Sequence, residues 1–284
     1  MPPNDIEIAS SFPAPGKLNL LLRVLGRRAD GYHLLQTVIR FIDYGDTVTL
    51  RVREDGIVTR TNEIAGVPCD ADLTVRAARL LKQATGTPLG ADILLEKRLP
   101  LGGGLGGGSS DAATALLALN YLWGTGLSRQ ELLALALTLG ADVPVFVFGE
   151  NALAEGIGER LTPVVLPDNW YLVLTPQVIV PTVRIFADPQ LKRDSKPITI
   201  QGFSADEAGN DLEAAVCRAY PEVAQHLEWL RRAGPAWVTG SGACVFAAFP
   251  DESAARRLWA QAPAGMRGFI AQGLLRHPLR HLAN

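Results

Sequence analysis

Cysteine is scarce in this chain of 284 residues: Cys69, Cys217 and Cys244 are scattered, odd in number, and form no CxxC pair. That excludes a disulfide framework and a cysteine zinc site. Histidine is sparse as well, and His226, His277 and His281 have no acidic or cysteine neighbours at metal-ligand spacing, so they read as surface or packing residues. No apolar run approaches the ~20 residues that a bilayer-spanning helix needs. Neither charge sign dominates, with 27 basic against 29 acidic residues and a formal net charge of -2. A nucleic-acid partner would require a basic excess or stripe, and none is present. The opening segment, MPPNDIEIASSFPAPGK, lacks a basic stretch followed by an apolar one, so a signal peptide is not expected and a cytoplasmic location is. There is no internal repeat. Hydrophobic residues at 48% and charged residues at 20% are ordinary for a globular chain able to bury its own core.

The pattern along the chain mixes strands and helices without regular βα alternation, which implies an α+β protein of two lobes. Lys17 to Leu25 and Asp46 to Arg53 are rich in β-formers, with the turn signal Ala29-Asp30-Gly31 between them. Asp72 caps an expected helix that Gly86 stops. Ile93 to Glu96 reads as a short strand, and a strong helix follows the glycines, capped by Ser109 or Ser110. Ser128 caps the next helix. Asp142-Val143-Pro144 opens a short apolar element ending near Gly149. Beyond residue 160 the pattern restarts: a strand at Tyr171 to Thr175, helices at Asn210 to Ala219 and Pro221 to Ala233, a hairpin from Trp237 to Phe249, a helix at Asp251 to Ala262, and a last strand at Gly268 to Leu275. The expected division is 1–160 and 161–284, with the option that the last strand returns to the first lobe.

One tract is of low complexity. From Gly102 to Gly108, six of seven positions are glycine, and Leu105 interrupts them. Average glycine usage is roughly 7%. A flexible linker is the bland explanation, but linkers are flanked by polar, disordered sequence, whereas this tract joins a strand to a strong helix. Glycine tolerates positive φ, so successive amides are able to converge on an anion, and the missing Cβ lets backbone approach phosphate oxygens. The following helix adds unpaired N–H groups and the positive end of its dipole. Ser109 and Ser110 have two open roles, helix capping or hydroxyl donation to phosphate or Mg²⁺. No Lys-Ser or Lys-Thr follows the last glycine, so this is not a Walker loop. No acidic residue ends a following strand about twenty residues on, so it is not the dinucleotide fingerprint either.

The segment from Pro100, PLGGGLGGGSSDAA, resembles the ATP-binding motif of the GHMP kinases, a family of small-molecule kinases acting on galactose, homoserine, mevalonate and phosphomevalonate. PAPGKLNL from Pro13 and GSGACVFAAF from Gly240 are similar to its N-terminal and C-terminal motifs. ADGYHLLQTV, GADVPVFVFG, GIGERLTPV and PTVRIFADP, in that order, are together similar to one branch that serves isoprenoid precursor synthesis and whose acceptor alcohol carries cytidine diphosphate. The resemblance implies a two-lobed fold with a ferredoxin-like C-terminal lobe. It also implies phosphoryl transfer from ATP to an alcohol, with Mg²⁺ as the expected counter-ion and its ligands unassigned. One departure stands out: family members often have Asn-Leu where this chain has Asp72-Leu73.

Phosphoryl transfer needs positioned groups, neutralisation of developing charge and a group to take the hydroxyl proton. Asp142 is the candidate base; from the residues alone, a helix cap is an equal alternative. The resemblance implies that Lys17, otherwise an ordinary surface cation, pairs with Asp142 and orients the reacting oxygen. Asn19 lies two positions on, on the same strand face, and is a further candidate for the acceptor. The nucleotide loop comprises Pro100, Leu101, Gly102, Gly103, Gly104, Leu105, Gly106, Gly107, Gly108, Ser109 and Ser110. The resemblance also implies that Tyr32 and His33 recognise the cytosine by stacking and in-plane hydrogen bonds. Phe186 is then a second aromatic face and Thr182 a nearby polar contact, although a core position is the commoner fate of a phenylalanine. The adenine is expected near Asn62 to Asp72. The glycines at Gly240 are expected to pack against the acceptor diphosphate. Two readings compete with this one: another GHMP kinase with a plain alcohol acceptor, and a nucleotide-binding protein on the same fold without activity.

Overall fold

The computed structural model describes residues 9–29, 31–199 and 208–283. Its first sheet begins with two long strands, β1 (Ser10–Arg27) and β2 (His33–Arg53). They pair antiparallel almost end to end, from Ser10 opposite Leu50 to Arg27 opposite His33. Asp30, part of the turn signal between them, lies outside the described residues. Both strands begin earlier than their β-rich segments suggest. Pro13 and Pro15 lie within β1, although proline supplies no ladder donor, and the register shifts between Pro15 and Lys17. Such irregularities let a strand accept proline and aim its next side chain.

β3 (Val58–Arg60) and β4 (Gly90–Glu96) extend this sheet beside β2, and β5 (Ala152–Gly156) with β6 (Arg160–Pro163) extends it along the other half of β2. Helices α1 (Leu73–Thr85), α2 (Gly107–Leu122), α3 (Arg129–Leu139) and α4 (Val143–Phe148) accompany it. Asp72 caps α1 by accepting from Thr74 N, and Gly86 ends it in the left-handed conformation. Ser128 and Glu131 form a reciprocal capping box on α3. The core of this lobe packs Phe41, Leu50 and Ile93 with Leu116 and Phe146.

The second sheet has the order β11-β7-β10-β9, from β7 (Trp170–Leu174), β9 (Ala236–Val238), β10 (Val245–Phe249) and β11 (Gly268–Gln272). Around it lie α5 (Thr182–Phe186), α6 (Glu213–Ala219), α7 (Pro221–Arg231) and α8 (Glu252–Trp259). Strand, helices, hairpin, helix and strand in this order, all pairs antiparallel, make a ferredoxin-like lobe. The expected helix from Asn210 begins only at Glu213, because Gly209–Asn210 form β8, a short strand parallel to β1. β11 stays in the second sheet, and the chain crosses back directly after it: Gly273 bridges to Ile42, and Leu274 N donates to Phe41 O. Other connections also join the lobes. β8 leans on the first sheet, and an apolar cluster of Leu18, Leu105, Tyr171, Val173 and Phe246 fills the space between them. Among the described residues, no helix is long and apolar enough to cross a membrane.

Candidate active site

The glycine tract forms a loop whose conformation only glycine adopts easily. Gly102, Gly104 and Gly106 have φ values of +66°, +77° and +71°. Leu105, the interruption, is buried at 1% exposure and packs with Leu18, Cys244 and Phe246. It pins the loop into the seam between the lobes, and Lys17 N donates to its carbonyl at 2.9 Å. The loop is held from the second lobe too. Ala243 N and Cys244 N donate to Gly102 O and Gly103 O at 3.3 and 3.1 Å, and Thr239 Oγ1 donates to Gly104 O at 3.3 Å. The loop at Gly240 therefore packs on the glycine tract, and Asn210 Nδ2 holds it by its carbonyl at 2.7 Å.

α2 begins at Gly107, with left-handed Gly106 before it. Neither Ser109 nor Ser110 is the cap, because the glycine run itself winds into helix and Gly106 takes the cap position. Ser110 N is the first donor to close an α-helical bond, onto Gly106 O at 2.8 Å. The amides of Gly107, Gly108 and Ser109 are thus the orphan donors of the helix start, and all three residues line a cleft of about 480 Å³. The two serines part company here. Ser109 borders the cleft, whereas Ser110 is fully buried and its hydroxyl donates to Pro15 O at 2.7 Å. The expectation that Ser110 offers a hydroxyl to phosphate or metal is corrected, because its hydroxyl ties α2 to β1.

Across the cleft, Lys17 and Asp142 face each other, with Nζ and Oδ2 3.5 Å apart. Lys17 is 2% exposed, yet its ammonium is not stranded: it donates to Asn19 Oδ1 at 2.5 Å. A buried cation requires such partners. Asn19 is fixed in turn, donating through Nδ2 to Thr37 Oγ1 at 2.8 Å and through its main chain to Thr239 Oγ1 at 3.1 Å. Asp142 occupies the cap position of α4, but its side chain makes no capping bond. The carboxylate is half-exposed toward the cleft instead. α4 holds it there from both ends. Pro144 pre-sets the first turn, and Arg129 bonds the last carbonyls, those of Val147 and Phe148. Phe146 of α4 and the Lys17 stem both pack close beside Gly106.

At the other end of the cleft, Thr182 and Phe186 line the wall. Thr182 Oγ1 lies 2.8 Å from Ser241 Oγ, so this expected contact also meets the C-terminal glycine segment. His33 stacks directly on Phe186, with ring centroids 4.7 Å apart and 27° between planes. His33 and Phe186, expected as two of the aromatic groups around the base, thus form one stack. Tyr32, the third expected aromatic, is 64% exposed. Two of the residues in the segment expected near adenine, Asn62 and Asp72, hold other parts of the protein. Asn62 pins the main chain of Leu95 with both atoms of its amide, and Asp72 combines its cap with a buried ion pair to Arg60. Of the neighbouring residues, Leu73 lines the cleft.

One polar cluster escaped the sequence reading. Lys97 borders the cleft beside the glycine tract and bonds both Asp46 and Asp111. Asp46 also accepts from Arg98 N and Leu99 N, at 2.6 and 2.8 Å, which fixes the chain just ahead of the glycines. Burial works against the Lys97 ammonium, and the two carboxylates overcome it, so its pKa lies above the usual lysine value. Burial, opposed by Lys97 and reinforced by Asp46, pushes the Asp111 carboxyl up to about 7. Asp111 Oδ1 has no hydrogen-bond partner. The only signal in the sequence was a lysine five residues ahead of the first glycine. Among the described residues, no group of three or more His, Cys, Asp or Glu is placed to hold a metal.

Comparison with known proteins identifies the family. The GHMP kinases N terminal domain matches residues 72–150, and the GHMP kinases C terminal region matches residues 201–268. The chain is 58% identical over 282 residues to a 4-diphosphocytidyl-2-C-methyl-D-erythritol kinase of Nitrosospira multiformis, covering 98% of this chain and 96% of that one. It is also 58% identical over 272 residues to the enzyme of the same name from Thiobacillus denitrificans, covering 96% and 98%. A crystal structure of 4-(cytidine 5'-diphospho)-2C-methyl-D-erythritol kinase superposes with a TM-score of 0.82 at 34% identity, covering 93% of this chain and 99% of that chain. Homoserine kinase from Cytophaga hutchinsonii, at 16% identity and a TM-score of 0.71 over 98% of each chain, shares the fold.

Proposed function

The chain belongs to the GHMP kinases, and we propose that it transfers the γ-phosphate of ATP to the 2-hydroxyl of 4-diphosphocytidyl-2-C-methyl-D-erythritol, with Asp142 as general base and Lys17 as the orienting cation. The products are ADP and the 2-phosphate, in the non-mevalonate route to isoprenoid precursors. The observation that carries the assignment of roles is the Lys17–Asp142 pair, 3.5 Å apart, in the same cleft as the helix-start amides of Gly107 to Ser109.

The amides of the glycine tract and the start of α2 hold the triphosphate, where they meet negative charge without reorganising. The acceptor hydroxyl lodges between Lys17 and Asp142. Its proton passes to the Asp142 carboxylate as its oxygen forms the bond to the γ-phosphorus, and the bond from that phosphorus to the β-bridging oxygen breaks, releasing ADP. Lys17 has three donors. One is spent on Asn19, and the others face the acceptor oxygen and the moving phosphoryl group. Asn19, held by Thr37 and Thr239, keeps the ammonium from swinging away.

Mg²⁺ fits the site as a companion of ATP. It keeps most of its ligands from water and phosphate and asks the protein for one or two oxygens. Ser109, bordering the cleft at the first turn of α2, would supply one. The cation neutralises triphosphate charge when bound. The substrate is a soluble small molecule, consistent with a cytoplasmic enzyme.

A coupled ADP-release assay with a panel of acceptors tests the reading. Turnover is expected with the diphosphocytidyl acceptor and not with homoserine or mevalonate; the reverse pattern overturns the substrate. The Asp142→Asn variant should lose roughly 10²–10⁴ in kcat, the usual weight of an acid–base group. Near-normal turnover would remove Asp142 from the role of base.

A further inference from the structure

Arg193 touches both halves of the aromatic stack at the end of the cleft. Its Nε donates to His33 Nε2 at 3.1 Å. Its Nη2 donates to Phe186 O and Asp188 O at 2.8 and 2.9 Å, and its Nη1 to Leu191 O at 3.0 Å. One guanidinium therefore fixes the edge of one ring and the backbone that carries the other.

The bond to His33 has a chemical consequence. A guanidinium only donates hydrogen bonds. His33 Nε2 must then offer its lone pair, and the single proton of the neutral ring sits on Nδ1. Partial burial, with Arg193 and Arg27 beside the ring, lowers the His33 pKa below its ordinary value, so the neutral form prevails near pH 7. His33 is only partly buried, and Nδ1 has no protein partner among the described residues.

We propose that Arg193 is a specificity-determining positioning residue: it locks His33 in the Nδ1–H tautomer, so that the ring offers a donor to the pyrimidine of the acceptor and selects cytosine over uracil. This rests on the reading of a cytidine diphosphate acceptor given above. Cytosine N3 is an acceptor and matches Nδ1–H. Uracil has N3–H at the same place, so two donors meet and neither is satisfied. A buried polar group left unpaired costs more than a good pair gains. Without Arg193, His33 is free to take the other tautomer and present an acceptor instead.

The first measurement needs no variant. Nitrogen NMR of the ¹⁵N-labelled intact protein near pH 7.5, with His33 assigned by loss of its signals in His33→Asn, should show a protonated Nδ1 and a bare Nε2. A protonated Nε2 overturns the proposal, whatever the substrate proves to be. Arg193→Met should then shift His33 toward Nε2–H. Its KM for the cytidine acceptor should rise about tenfold, the weight of one hydrogen bond, with kcat changed far less. Its preference for the cytidine acceptor over the uridine counterpart should fall about as much. An unchanged preference in a folded Arg193→Met protein overturns the proposal, while a wild-type enzyme indifferent to the base overturns the substrate reading on which it rests.

Discussion

Replacing Gly104 by alanine separates two effects that glycine loops usually confound. Gly104 has φ +77°, and a Cβ there would lie 2.2 Å from Thr239 O and 3.1 Å from Gly242 O. Gly124 has a similar φ of +62°, and a Cβ there would meet nothing within 4 Å. Each alanine bears the left-handed strain of about 1–2 kcal/mol. Only Gly104→Ala also meets backbone of the second lobe. Relief requires about 1 Å of displacement to reach normal contact distance, and neither neighbour is a flexible side-chain end. The shift falls on the seam where Ala243 N, Cys244 N and Thr239 Oγ1 hold the glycine carbonyls. A displacement of that size in a positioned site costs about 10²-fold. Gly124→Ala should lose its strain energy in thermal unfolding and keep its kinetics. Gly104→Ala should lose more stability, and its kcat/KM in coupled ADP release should drop about 10²-fold. Equal kinetics for the two variants would refute the claim that the second lobe positions the phosphate loop.

The two serines at the start of α2 should respond in opposite ways. Ser110→Ala leaves the Pro15 carbonyl without its buried donor and should cost about 1–3 kcal/mol in denaturant unfolding. Ser109→Ala should keep stability and raise KM for ATP in steady-state assays. Two buried groups act on acid stability in opposite directions. Burial, with Arg129 nearby, lowers His277 to about 3. The unfolded chain takes that proton below about pH 6.5 and the folded chain does not, so stability present above 6.5 is lost as pH falls, by about 2–3 kcal/mol at pH 4.5. Asp111, raised to about 7, binds its proton first in the folded chain, so its contribution grows as pH falls from 7 toward 4. Asp111→Asn should therefore make stability decline more steeply between pH 7 and 4.5 in denaturation curves; a shallower decline contradicts the sign.

The parts of this protein legible in the sequence are those that neighbouring residues settle among themselves. Asp72 and Ser128 each cap a helix where a short acceptor precedes a helical run, because capping needs only the next three amides. The glycine tract was legible for the same reason, since positive φ is a property of the residue. Lys17 and Asn19 share a strand face by alternation alone, and their side chains do meet. Even locally the reading slipped where two signals competed: the serines advertised a cap, but the helix began among the glycines.

Tertiary structure decided the rest, because it set which distant residues share one space. Lys17 and Asp142 lie far apart in sequence and 3.5 Å apart in the fold, and only the packing of α4 against α2 and α3 set a possible helix cap beside Lys17 instead of on its own helix amides. The Asp46–Lys97–Asp111 cluster draws its members from a strand, the approach to the loop and a helix. No periodicity links those positions. His33 and Phe186 both carried an aromatic signal, yet their stacking on each other, and the guanidinium of Arg193 that orients the imidazole, depend on how the second lobe folds over the first. Local conformation is chosen by energies that act within a few residues. Proximity across lobes is chosen by burial of the whole apolar surface, which no short stretch of sequence reports.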